Sequence, residues 1–189
     1  MLKEINARPV IAPMPVLIVG TYDENEVADA MVVAWGGQCW DKHIALNISS
    51  NHKTTENMRL KKAFTVHIAT AERVELADYL GIVSGHSESK LAHVDAPVTK
   101  GEKVDAPIIE DFVLAMECRV VSMTGNGDGG VRVVGEVVRT VADDTIIDAN
   151  GKVDFSMLHP ICFDQEKSVY RPIGEPIAEA FLVGKNLKG

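Results

Sequence analysis

Apolar residues occur along this chain in short runs with a period near two, separated by polar or glycine-containing breaks. Residues 15–22 (PVLIVGTY) form one such run, closed by the acidic stretch Asp23–Glu26, and predict a strand. Residues 28–36 (ADAMVVAWG) predict a second, and the short polar link between them predicts a hairpin. Gly36-Gly37 then breaks the pattern and reads as a bulge or turn where backbone lies open to close approach. Residues 43–49 (HIALNIS) alternate apolar and polar positions and predict a third strand.

The period then changes. Residues 54–62 read as a short helix, with a Thr cap and Glu56 at its start and Lys61 and Lys62 at its end, where the macrodipole favours cations. Residues 63–69 (AFTVHIA) return to strand. Residues 72–82 (ERVELADYLGI) have helical spacing that Gly81 is expected to end, and 87–93 predict a further helical turn. Pro97, Gly101 and Pro107 mark 94–108 as a loop. The strongest β segments are 112–124 and 131–141, joined through GNGDGG at 125–130 into a long hairpin. Residues 148–152 signal a turn, 168–173 a late strand, and the tail 175–189 ends in a short helix. Strands and helices do not alternate, which disfavours a doubly wound parallel sheet. The expectation is a mainly β, antiparallel barrel with short helical insertions, one domain over residues 1–189.

Composition sharpens this picture. The 189 residues include 24 valines and only 5% aromatics, so aliphatic and β-branched side chains must build the core. The net charge is −8, from 19 basic and 27 acidic residues, which lacks the basic footprint of a nucleic-acid binder. No apolar run is long enough for a transmembrane helix, and MLKEINARPV has no signal-peptide h-region, so a cytoplasmic location and no membrane partner are expected. Cys39, Cys118 and Cys162 are widely spaced with no CxxC, and are expected as reduced, buried small hydrophobes.

Chemical motifs are sparse. No GxSxG, HExxH or Walker pattern occurs, and GNGDGG lies between strands rather than before a helix, so it reads as a hairpin turn. The six histidines show no i,i+4 pair on one helix, and no metal site is predicted; His67 reads as a packed or edge residue in mid-strand. Three stretches hold the candidates. In 47–57 (NISSNHKTTEN) a strand gives way to hydroxyls, Lys53 and a helix start. Free amides, hydroxyls and an ammonium suit a phosphate there, although Ser and Thr before a helix also serve as plain caps. In 29–39 (DAMVVAWGGQC) the glycines admit a flat ligand and the Trp35 indole could cover it; a core Trp beside a bulge fits the same pattern. Residues 84–90 (SGHSESK) read either as a third wall or as a solvated loop.

Taken in order, PMPVLIVGTYDENE (13–26), DAMVVAWGG (29–37), TTEN (54–57), FTVHIA (64–69), ADYLGIVSG (77–85), VDAPIIEDF (104–112), GEVV (135–138), DANGKVD (148–154) and HPICFD (159–164) resemble the flavin reductase-like family, specifically its flavoredoxin branch. The resemblance implies a Greek-key FMN-binding split barrel that forms a homodimer, with FMN in a groove near the subunit interface. It brings the three stretches onto one flavin. Met31, Val32, Val33 and Ala34, through their backbone, and Trp35 would flank the ring, with Cys39 nearby. Ser49, Ser50, Asn51, Lys53 and Thr54 would hold the ribityl chain and phosphate, Lys53 and Thr54 on the phosphate itself. Ser84, Gly85 and Lys90 would close the other side. Three departures stand out. Asp29-Ala30-Met31-Val32 replaces the family's frequent Asn-Ala-Met-Thr, so the contact at residue 32 falls to backbone. His52-Lys53 stands where an arginine and an aromatic are common. His86 replaces a fixed cation with a titratable one. No catalytic side chain is implied. The implied partners are a redox protein or NAD(P)H, which leaves an FMN electron carrier, an NAD(P)H-dependent flavin reductase and a non-catalytic flavin-binding module as alternatives.

Overall fold

In a computed structural model describing residues 1–187, the runs of period two become a seven-stranded antiparallel sheet. Its strands are β2 (Leu17–Tyr22), β3 (Ala28–Val33), β4 (Gly36–Trp40), β5 (His43–Ser49), β6 (Ala63–Ile68), β9 (Leu114–Gly125) and β10 (Gly130–Ala142), in the spatial order β3-β2-β6-β9-β10-β5-β4. The two edge strands, β3 and β4, are consecutive in the chain and joined only by Ala34-Trp35, so the sheet curls round on itself. The Asn47 amide donates to the Trp35 carbonyl at 2.8 Å across that corner. From β5 the chain returns past β10 and β9 to β6, the long connection of a Greek key. The expected mainly β, antiparallel architecture with short helices is therefore observed.

Alternation sorts the side chains. Leu17, Val19, Val33, Ile44, Leu46, Phe64, Val66, Cys118 and Val133 fill the inside of the curled sheet. Val16, Ile18 and Ala30 face outward beneath α2 (Val74–Ile82) and α3 (Lys90–His93), where Ala77, Leu80 and Leu91 cover them. β2 is thus buried on both faces, which accounts for its unbroken apolar run. Gly135 belongs to the interior packing: a Cβ there would lie 2.4 Å from Phe64 Cζ.

Several elements depart from expectation. Gly36-Gly37 opens β4 rather than a turn, because a Cβ at Gly36 would lie 2.8 Å from Leu46 Cδ2 and 3.1 Å from the Ala45 carbonyl. α2 runs one residue past Gly81, to Ile82, and Gly81 packs beside Val32 of β3. The loop 94–108 contains a small hairpin of β7 (Val98–Lys100) and β8 (Pro107–Ile109). The late strand, β12 (Val169–Pro172), pairs with an unforeseen β11 (Ile161–Asp164), which also pairs with β1 (Met14–Pro15). The tail carries a short 3-10 turn at Val183–Leu187. Of the cysteines, Cys118 is buried and Cys162 half-buried, whereas Cys39 is exposed on the edge strand β4. No helix among the described residues is long and apolar enough to cross a membrane.

Candidate functional site

The helix α1 (Lys53–Lys61) begins four residues after β5 ends; Met58 anchors it in the core, and three buried polar side chains fix it to the sheet. Thr54 Oγ1 donates to Asp29 Oδ2 at 2.8 Å, Thr55 Oγ1 to the Ser49 carbonyl at 2.7 Å, and Asn57 Nδ2 to Thr21 Oγ1 at 3.0 Å. The expected Thr cap is therefore absent. His52 occupies the cap position in an extended conformation, and its side chain caps nothing. The Thr55 amide is taken up by the His52 carbonyl at 2.9 Å, so the donors that the start of α1 presents uncapped are the Lys53 and Thr54 amides.

These donors open onto a groove. Its wider part, about 450 Å³, runs between Met31, Val32, Val33 and Trp35 on one side and Ser49, Asn126, Asp128, Gly129 and Arg132 on the other. Its narrower part, about 280 Å³, is bounded by Asn51, Lys53 and Thr54, by Gly81–Gly85 at the end of α2 and just beyond it, and by Lys90. Met31, Val32 and His52 belong to both parts, so the two are continuous. Among the described residues β3 pairs only with β2, which leaves the N–H and C=O groups of its other edge free of strand pairing along the wider part.

A buried charge cluster underlies the narrow part. Asp29 and Lys90 are nearly inaccessible, with Lys90 Nζ 3.3 Å from Asp29 Oδ1 and 3.4 Å from the Leu80 carbonyl. That Asp29 oxygen makes no hydrogen bond of good geometry. A Cβ on Gly85 would lie 2.5 Å from it, so only glycine fits against this carboxylate. Lys53 Nζ is 3.6 Å from Asp23 Oδ2. His86 Nε2 lies 3.1 Å from the Asn51 carbonyl and 3.6 Å from Glu56. Partial burial and the positive charge of Lys90 hold the His52 imidazole below its usual pKa.

The structure brings Met31, Val32, Val33, Trp35 and Ser49 together in the wider part, and Asn51, Lys53, Thr54, Ser84, Gly85 and Lys90 in the narrower. It does not bring in three others. Ala34 and Cys39 line a neighbouring cleft with the segment Pro9–Pro15, which adjoins the wider part at Trp35, Asn47 and Arg132, because the chain turns the corner into β4 at this point. Ser50 lines neither part; its amide is taken up by the Gly129 carbonyl at 2.8 Å. Sequence reasoning missed the hairpin tip 126–130 as a wall, together with Asp29, His52 and Arg132. The spacing of Asn126 and its glycines did mark a tight tip, in which Asn126 Oδ1 accepts from the Asp128 and Gly130 amides. Nothing local marked where that tip lands.

Comparison with known proteins agrees with this architecture. Flavoredoxin of Desulfovibrio vulgaris (Miyazaki F) superposes with a TM-score of 0.92 at 31% identity, covering 97% of this chain and 100% of that one. Flavoredoxin from Methanosarcina acetivorans gives a TM-score of 0.91 at 26% identity, covering 99% of each chain. The protein YddH of Escherichia coli (strain K12) is 26% identical over 133 residues, 68% of this chain and 70% of its own. Residues 11–157 match the flavin reductase like domain, well over half of the chain, and the protein belongs to that family.

Proposed function

We propose that this chain is an FMN-binding redox protein of flavoredoxin type that passes electrons through its bound flavin. The observation that carries the reading is the continuous groove in which the free edge of β3 meets the uncapped start of α1. One part suits a flat heteroaromatic ring: an edge strand supplies N–H donors and C=O acceptors in a row, and Trp35 supplies an aromatic flank. The other suits a phosphate: helix-start amides and the Lys53 ammonium converge there. Ser49 and Asn51 stand between the two and offer partners to a polyol. The bound flavin supplies the redox chemistry. The residues of this chain bind and orient it, leave part of the wider groove open to a partner, and place amide donors where negative charge is stabilised.

The same reading includes a homodimer in the cytoplasm, with a redox protein or NAD(P)H as electron partner and no nucleic acid or membrane. Exposed Trp35, which lines the groove, and exposed Trp40 at the end of β4 support a subunit contact, since large aromatics left in water mark interaction surfaces. Sedimentation of the loaded protein at twice its 20.5 kDa chain mass is expected; a monomer removes that part of the reading. The −8 charge favours basic partners through steering.

Titration with FMN tests the core of the proposal. Tight binding with a perturbed flavin spectrum is expected, and Lys53→Ala is expected to weaken it by about 1–3 kcal/mol. A protein that binds no FMN overturns the reading. Anaerobic addition of NADH or NADPH then separates carrier from enzyme. An unbleached flavin that a reduced ferredoxin-like protein does reduce supports the carrier; rapid bleaching with turnover replaces it with a flavin reductase.

A further inference from the structure

The groove continues past the start of α1 into a third segment of about 290 Å³, joined to the narrow part through Asp29, Lys53 and Gly85. Its chemistry differs from what precedes it. Beyond Lys53 the walls carry Asp23 and Glu88, with small hydroxyl residues; His86, the remaining basic group, is the one aromatic ring among its described lining residues.

Asp23 is held rigidly. Its Oδ1 accepts the amide N–H groups of Asn25 at 2.8 Å and Val27 at 2.9 Å, within the turn from β2 to β3, and its Oδ2 lies 3.6 Å from Lys53 Nζ. Its side chain is only 13% exposed. Burial by itself raises this carboxyl, but the Val27 and Asn25 amides and Lys53 outweigh it and hold the pKa below the usual carboxylate range. Asp23 is thus a fixed negative charge at neutral pH, stationed just past the last groove cation.

From this arrangement we infer that Asp23 is a specificity-determining residue that restricts the groove to a flavin mononucleotide and disfavours the dinucleotide FAD. The inference rests on the flavin reading above. A terminal phosphate meets Lys53 and the α1 amides and stops there. In a dinucleotide the second phosphate must continue past Lys53, against the Asp23 carboxylate and toward Glu88. Like charges at such separations repel strongly when partly shielded from water.

Calorimetric titration of the flavin-free protein with FMN, FAD and riboflavin, at one ionic strength, tests this. FMN is expected to bind at least about tenfold more tightly than FAD. Asp23→Asn keeps the acceptor for both turn amides, so the turn should survive. It is expected to narrow the FMN-to-FAD ratio at least about threefold, and Glu88→Gln to narrow it further, while riboflavin affinity stays unchanged because riboflavin has no phosphate. Equal affinity for FMN and FAD in the natural protein overturns the inference, as does an unchanged ratio in Asp23→Asn. A change in riboflavin affinity equal to that in FMN affinity also overturns it, since the effect would then not act through phosphate. If all three flavins fail to bind, the flavin reading itself falls, an outcome distinct from binding without discrimination.

Discussion

Asp29 and Lys90 show how a single pair of residues shapes the groove. Thr54 rests on one Asp29 oxygen, Lys90 reaches the other, and Gly85 packs against the same carboxylate, so α1, the post-α2 loop and β3 share one buried charge. Such a pair contributes little net stability over an apolar one, but removing one member strands the other in low dielectric. Lys90→Met is therefore expected to destabilise the fold by about 3–5 kcal/mol in urea unfolding. Adding Asp29→Asn, which removes the stranded charge and keeps an acceptor for Thr54, is expected to restore most of that loss. A single-variant loss below about 1 kcal/mol would show that Asp29 is stabilised by something other than Lys90. Lys90 was legible in the sequence as part of the site, but its role was not. A lysine next to a loop reads as a solvent-facing anion contact, and only the fold shows its ammonium turned inward onto a carboxylate from a distant strand.

At the scale of elements, the β9–β10 hairpin has two roles. Its strands are part of the curled sheet, and its tip folds over the end of β5 so that the Ser50 amide donates to the Gly129 carbonyl. Shortening the tip 126–129 by two residues should leave the sheet intact, because the tip lies outside the paired strands. It should also release flavin about tenfold faster, the equivalent of about one lost hydrogen bond at 1.4 kcal/mol. Stopped-flow dissociation alongside thermal melting checks both; unchanged release would remove the tip from the site. Strands whose alternation is regular, such as His43–Ser49, were legible because one face is apolar and one is not. β4 was not, since glycines that serve close approach inside a sheet look the same in sequence as glycines that make turns. β11 was hidden for a related reason: Ile161–Asp164 is too short and too mixed to show a period, and its partners lie at both ends of the chain.

The whole molecule is acidic, yet one neutral imidazole ties its centre together. His67, carried on β6, is completely buried and links three strands: Nδ1 lies 3.3 Å from the Ile18 carbonyl on β2, and Nε2 accepts the Ile109 N–H on β8 at 3.0 Å. A nitrogen that accepts an N–H must be unprotonated, so the ring is neutral with its proton on Nδ1. Burial drives the pKa down to about 4, against only a small opposing effect of the Ile18 carbonyl. In the unfolded chain the same group titrates near 6.5. Between these values the unfolded state binds the extra proton, so stability is complete above about pH 6.5 and falls as pH drops toward 4. The difference corresponds to about 3 kcal/mol at full effect. Carboxylates with lowered pKa values, such as Glu117 beneath Arg139, begin to lose their contribution only below about pH 4.5, so the upper part of this window belongs to the histidines, with His52 acting in the same direction as His67. Urea unfolding of the natural protein and His67→Gln at intervals from pH 7.5 to 4 separates the two effects. The variant is expected to be less stable at pH 7 and to lose less stability on acidification, so that the two curves converge toward pH 4. Parallel curves across the whole range would mean that His67 is not the group whose protonation loosens the barrel.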